Sequence, residues 1–169
     1  MLSISFSVVM NLIDYIRGDL KAFRNKTART NLAALSDIGM LQLILFRFLR
    51  SWETSRIPYG LIGHVCELVL QHLLDYYMPA SVDVGSECIV FHGKGNIING
   101  RVRIGNRCVI YSRVCLGERF PGDGVPVLGH RCVIGTGACV LGPVMIPDDT
   151  LIPANSLLTP KNYKSVLKL

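Results

Sequence analysis

Few side chains in this sequence are placed to do chemistry, and the most informative is a histidine inside FHGKGNIING, residues 91–100. An imidazole titrates near neutrality, so it serves as general base, general acid or metal ligand. The chain has 4 histidines and 6 cysteines. The cysteines form no CxxC pair and no zinc-finger spacing. His92 differs from the other histidines because it stands where a regular rhythm breaks.

That rhythm is a period of six. Aliphatic residues stand at Met78, Val84 and Val90, then at Ile98, Ile104, Ile110 and Leu116, and again at Leu128, Ile134, Val140, Ile146, Ile152 and Leu158. The spacing widens to eight between Val90 and Ile98 and to twelve between Leu116 and Leu128. Glycine follows the aliphatic residue at 85, 105, 117, 129 and 135, and a compact side chain (Val82, Cys88, Val102, Cys108, Val114, Cys132, Ala138, Val144, Thr150 or Ser156) follows four places after most of them. A six-residue period predicts neither helix nor hairpin but a β-solenoid of short strands and tight turns. Each rung buries its aliphatic residue on the next, and the compact residue fits a corner. Cys88, Cys108 and Cys132 share the compact slot, so they read as small core residues, not as catalytic thiols or metal ligands. His130, in a turn, and His64 and His72, on a helix, read as surface residues.

The elements that must position His92 divide the chain. Residues 1–77 read as an α-helical region, 78–160 as the β-solenoid, and 161–169 as a short tail. Leu12, Ile16, Leu20 and Phe23 share one helical face. Gly60, His64, Glu67, Gln71 and Asp75 form a narrow polar stripe on a helix that is otherwise apolar. Apolar surface that wide predicts packing against other helices and another subunit. The apolar run at 38–49 is too short to span a bilayer and carries Arg47. The opening MLSISFSVVM lacks the features of a signal peptide, and Met10 begins a better-patterned stretch, so residues 1–9 read as an upstream start or a frayed end. With no export signal the thiols read as reduced and the protein as cytoplasmic. The net charge of +6 is scattered without interleaved aromatics, which excludes nucleic acid as a partner and suits anionic ligands.

The segments FHGKGNIINGRVRIGNRCVIYSRVCLG and PVLGHRCVIGTGACVLG, with the helical IRGDLKAFR and IGMLQLILFRFL, resemble the hexapeptide-repeat acyltransferases, and among them the serine O-acetyltransferase family and its polysaccharide-modifying relatives. The resemblance implies a left-handed parallel β-helix preceded by helices, and a homotrimer or dimer of trimers with active sites between neighbouring coils. It implies acetyl-CoA as co-substrate, with no metal. His92 falls on the family's catalytic histidine, in a break of the same length. There it would remove a proton from an acceptor hydroxyl, and the two extra residues would push the turn towards a neighbouring subunit. Gly117, Thr136 and Ala154 match the positions that line the pantetheine arm. Thr136 and Ala154, three hexads apart, are expected to stack on one edge. Lys161, Lys164 and Lys168 form a basic tail within reach of CoA phosphates.

The chain departs from the serine enzymes in three places. Tyr77 stands where they carry the aspartate that partners the histidine, and neither Asp83 nor Glu87 is placed there by the coil phase. Gly124 and Val125 stand where an Arg-His pair would bind the carboxylate of serine. RNKTART, residues 24–30, replaces an acidic substrate segment. These departures predict an O-acetyltransferase acting on a saccharide precursor or another small hydroxylated metabolite, with serine O-acetyltransferase and a non-catalytic scaffold as alternatives. Tyr77, and Asp123 in the loop ERFPGDGVP, are the candidate substrate contacts.

Overall fold

The computed structural model describes residues 6–54 and 60–167. The expectation for the first residues falls in part on 1–5, and that for Lys168 on 168–169, outside the described residues. Four helices lead the chain: α1 (Phe6–Thr27), α2 (Asn31–Ser36), α3 (Ile38–Glu53) and α4 (Gly60–Leu74). Thr30 caps α2 and Asp37 caps α3, each accepting a hydrogen bond from a backbone N–H of the first turn.

The coil then winds in turns of three short strands. The first turn holds β1 (Tyr76–Tyr77), β2 (Asp83–Val84) and β3 (Ile89–Val90), and the second β4 (Asn96–Ile98), β5 (Arg103–Ile104) and β6 (Val109–Ile110). The third holds β7 (Cys115–Gly117), β8 (Val127–Leu128) and β9 (Val133–Ile134), and the fourth β10 (Cys139–Leu141), β11 (Met145–Ile146) and β12 (Leu151–Ile152). Strand β13 (Leu157–Leu158) and helix α5 (Tyr163–Leu167) follow. All pairings are parallel and generate three sheets, of five, four and four strands. Register puts each hexad aliphatic on its equivalent, as in Ile98↔Leu116 and Ile110↔Ile134.

Every aliphatic of the hexad series is buried, from Met78 to Leu158. Each is worth about 1.5–3 kcal/mol relative to an exposed side chain. The compact slot is closed by Val82, Cys88, Val102, Cys108, Val114, Cys132, Ala138 and Val144. At its last two occurrences Thr150 and Ser156 donate their hydroxyls to the Pro147 and Pro153 carbonyls, both at 2.7 Å, so the slot tolerates a hydroxyl that bonds back to the turn.

Helices α1 and α3 close the first turn. The buried guanidinium of Arg47 donates to the carbonyls of Val84 (2.7 Å) and Gly85 (2.5 Å) and pairs with Asp19 at 2.9 Å. Asp19 also accepts the Cys88 N–H at 2.8 Å. Burial pushes the Asp19 carboxyl up, against the pull of Arg47. Helix α4 has an inverted polarity. Glu67 on its polar stripe accepts the Ala80 N–H at 2.9 Å, while Leu61, Ile62 and Leu73 on its other faces are exposed. Among the described residues no helix is long and apolar enough to cross a membrane.

Candidate active site

The break at 91–95 is one corner of the coil with two residues inserted. Asn96 occupies the compact slot there, buried, and its Oδ1 accepts the Val114 N–H at 2.9 Å. In the next turn Tyr111, Ser112, Arg113 and Val114 fill the same corner without an insertion, and the Arg113 N–H bonds the Lys94 carbonyl at 3.0 Å. Phe91 therefore matches Tyr111, Lys94 matches Ser112 and Gly95 matches Arg113, which leaves His92 and Gly93 as the two extra residues. His92 has a left-handed backbone, φ 51°. The irregularity is thus the histidine itself and the glycine that follows it.

Helix α3 explains that glycine. The N-terminus of α3 docks on the break so closely that a Cβ on Gly39 would meet the Gly93 nitrogen at 2.7 Å as well as the Val90 carbonyl. A Cβ on Gly93 would in turn strike the buried Gln42 side chain, whose Nε2 donates to the Leu74 carbonyl at 2.8 Å. The break was expected to project towards a neighbouring subunit. Its backbone rests on the chain's own helix, and the His92 ring is left 77% exposed.

This docking supplies the partner of the imidazole. Asp37, the N-cap of α3, accepts the Gly39 N–H (2.9 Å) and the His92 N–H (3.1 Å) through Oδ1. Its Oδ2 lies 3.1 Å from His92 Nδ1. The carboxylate is nearly buried, with 9% of its side chain exposed. A carboxylate at Nδ1 selects the tautomer with hydrogen there and leaves the Nε2 lone pair free to accept a proton. The Phe91 ring packs between Phe23 (5.7 Å between centroids) and Tyr111 (5.4 Å), fixing the backbone from which the imidazole extends.

Sequence reasoning placed His92 at the break but missed Asp37. Asp37 stands before an apolar helical run, which is an N-cap signal; its second role depends on a contact 55 residues away along the chain. Tyr77 lies on β1, paired with Ile97, in a cavity shared with α4, Asp75 and Gly95. Glu87 is paired with Arg107 at 2.9 Å, and Asp83 faces outward on β2. Asp123 holds Arg119 at 2.9 Å within its own loop, and Glu118 holds Arg101. Thr136 and Ala154 do stack: the Asn155 N–H bonds the Thr136 carbonyl at 2.9 Å, and a Cβ on Gly135 would meet the Ala154 nitrogen at 2.5 Å. Gly117 ends β7, at the other edge of the five-stranded sheet, where an added Cβ would meet only Asn99 at 3.8 Å. His130, on the surface, has a structural use: its Nδ1 accepts the Asn106 N–H at 3.0 Å. Among the described residues no group of three or more His, Cys, Asp or Glu is gathered as a metal site.

No family model matches the chain. A serine acetyltransferase of Helicobacter pylori is 39% identical over 122 residues, covering 71% of this chain and 70% of the relative. The serine acetyltransferase of Mycobacterium tuberculosis is 35% identical over 151 residues, covering 87% of this chain and 66% of the relative. The crystal structure of Neisseria gonorrhoeae serine acetyltransferase in complex with serine superposes with a TM-score of 0.81 at 19% identity, covering 89% of this chain and 65% of that one. The chain thus spans about two thirds of the length of the relatives it matches.

Proposed function

Because the chain belongs to the serine acetyltransferase family, a family of acyltransferases, we propose that it transfers the acetyl group of acetyl-CoA to the hydroxyl of L-serine with His92 as general base. The observation that carries this reading is the 3.1 Å contact between His92 Nδ1 and Asp37, on a turn whose ring is otherwise open to solvent. Acetyl-CoA supplies an activated thioester. His92 Nε2 takes the proton of the acceptor hydroxyl as the oxygen attacks, and Asp37 stabilises the imidazolium that forms. The imidazolium then returns that proton to the departing thiol. Thr136 and Ala154 line the pantetheine path along one edge, and the buried Gly117 lies at the opposite edge, where no side chain fills the space. The relatives' reaction and the free thiols support a cytoplasmic enzyme, and the fold supports a trimer or a dimer of trimers. A saccharide or other hydroxylated acceptor, the expectation drawn from the departures, is the second reading. It is favoured by Gly124 and Val125, which offer the carboxylate of serine no side-chain cation.

The test is CoA release, followed with a thiol reagent, on acetyl-CoA with L-serine and with a panel of sugars. Serine turnover that falls about 10²–10⁴-fold in His92→Ala supports the proposal. Turnover of a sugar and not of serine replaces the acceptor, and turnover indifferent to His92→Ala removes the base.

A further inference from the structure

The corner that carries His92 also carries exposed charge of both signs. Among the described residues, the arginines elsewhere on the coil are mostly engaged: Arg101 with Glu118, Arg107 with Glu87, Arg119 with Asp123, and Arg131 with Asp148 and Asp149. Arg103, on β5, stands on a different sheet. Arg113 has no ion pair among the described residues, is exposed, and stacks one rung above the break, its Cγ 3.0 Å from where a Gly95 Cβ would stand. Lys94, inside the break, is likewise exposed and unpaired among the described residues. One rung below lies Asp75, also exposed and without an ion pair there, whose carbonyl accepts the Gly95 N–H at 2.7 Å. Asp75 and Arg113 both have left-handed backbones, φ 50° and 56°, so they repeat one conformation on one edge of the coil. Adjacent rungs are about 4.8 Å apart, so a cation and an anion flank the histidine turn at about twice that separation.

We propose that Asp75 and Arg113 form a charge clamp for a zwitterionic acceptor, with Arg113 taking its carboxylate, Asp75 its ammonium and His92 its hydroxyl. This rests on the serine reading above. A guanidinium forks onto a carboxylate through two hydrogen bonds, which gives orientation as well as affinity. The clamp supplies from the coil edge what Gly124, Val125 and the basic 24–30 segment do not.

The experiment compares L-serine, L-serinamide (no carboxylate) and 3-hydroxypropionate (no ammonium) as acceptors, using wild type, Arg113→Gln, Arg113→Lys and Asp75→Asn. Arg113→Gln should raise the KM for L-serine at least tenfold, with the KM for L-serinamide and acetyl-CoA unmoved, and Arg113→Lys should recover part of the loss. Asp75→Asn should raise the KM for L-serine and L-serinamide and leave that for 3-hydroxypropionate. Unchanged kinetics, an equal loss on all three acceptors, or a rise confined to acetyl-CoA overturns the clamp while serine turnover keeps the proposed function. A wild type that rejects serine yet prefers 3-hydroxypropionate, in an Arg113-dependent way, overturns the function and keeps the carboxylate half of the clamp. Preference for a neutral sugar overturns both. Because both substituted side chains are exposed, unchanged thermal melting serves as the check that the variants are folded.

Discussion

Asp37 serves two structures at once. It caps α3 through Gly39 N–H, and it holds both the backbone and the Nδ1 of His92. Asn is as good a helix cap as Asp, so Asp37→Asn separates the two roles. The variant should melt within about 0.5 kcal/mol of wild type, because the cap survives. Its kcat should fall roughly 10²-fold or more, because a neutral amide neither stabilises the imidazolium nor enforces the tautomer. Nitrogen NMR of His92 should show the Nδ1–H population reduced; an unchanged kcat with an unchanged tautomer would mean the carboxylate only caps the helix. His92 was legible in the sequence because a spacing of eight in a run of sixes is a local signal. Asp37 was not, because nothing within the helix predicts which turn of the coil its N-terminus will touch. Tyr77 is the converse case: the match that puts it at the family's aspartate position leaves the imidazole in need of another group, and the carboxylate that meets His92 comes from a different element.

At the scale of elements, the helices are tied to the coil by glycines as much as by side chains. Gly39 and Gly93 let α3 approach the break until backbone meets backbone. Gly39→Ala should cost about 1–3 kcal/mol, as overpacking does in a tight interior, and should lower activity as well, since the helix can relax only by carrying Asp37 away from His92. Gly18 in α1 is the control of opposite sign. A Cβ there would meet the flexible Glu87 Cγ at an ordinary 3.4 Å, so Gly18→Ala should stabilise by about 0.5–1 kcal/mol through helix propensity. Chemical denaturation of the two variants checks both signs; a neutral Gly39→Ala would show that the docking is loose. The hexads were readable because strands of two or three residues repeat one packing problem at every rung. The docking of α3 was not, since an α-helix reveals its apolar face by period but not the surface it will find. The inverted polarity of α4 is a further case: its polar stripe serves the coil at Ala80, and its apolar side is turned outward.

At the scale of the whole molecule, the five-stranded sheet carries an outward row that does not suit water. Register aligns Tyr77, Ile97, Cys115, Cys139 and Leu157 up its outer face. Tyr77, Ile97 and Leu157 are 43%, 55% and 52% exposed, and the two thiols lie half-buried between them. Thr136 and Ala154 border one edge of this sheet and Gly117 the other, so the proposed pantetheine path has its two sides on opposite edges of one chain. A second copy seated on the row would bring its own edge to the first and close the groove between them. Ile97→Glu tests this without touching the core, because the next residue, Ile98, is the one that faces inward. The variant should keep the circular dichroism of wild type. In light scattering it should run as a monomer where wild type runs as a trimer or larger, and its CoA release should be lost with assembly. An Ile97→Glu protein that still assembles and still turns over would place the interface on another face, with the exposed aliphatics of α4 as the next surface to charge. A monomer that keeps full activity would show instead that His92, Asp37 and the acceptor site are complete within one chain.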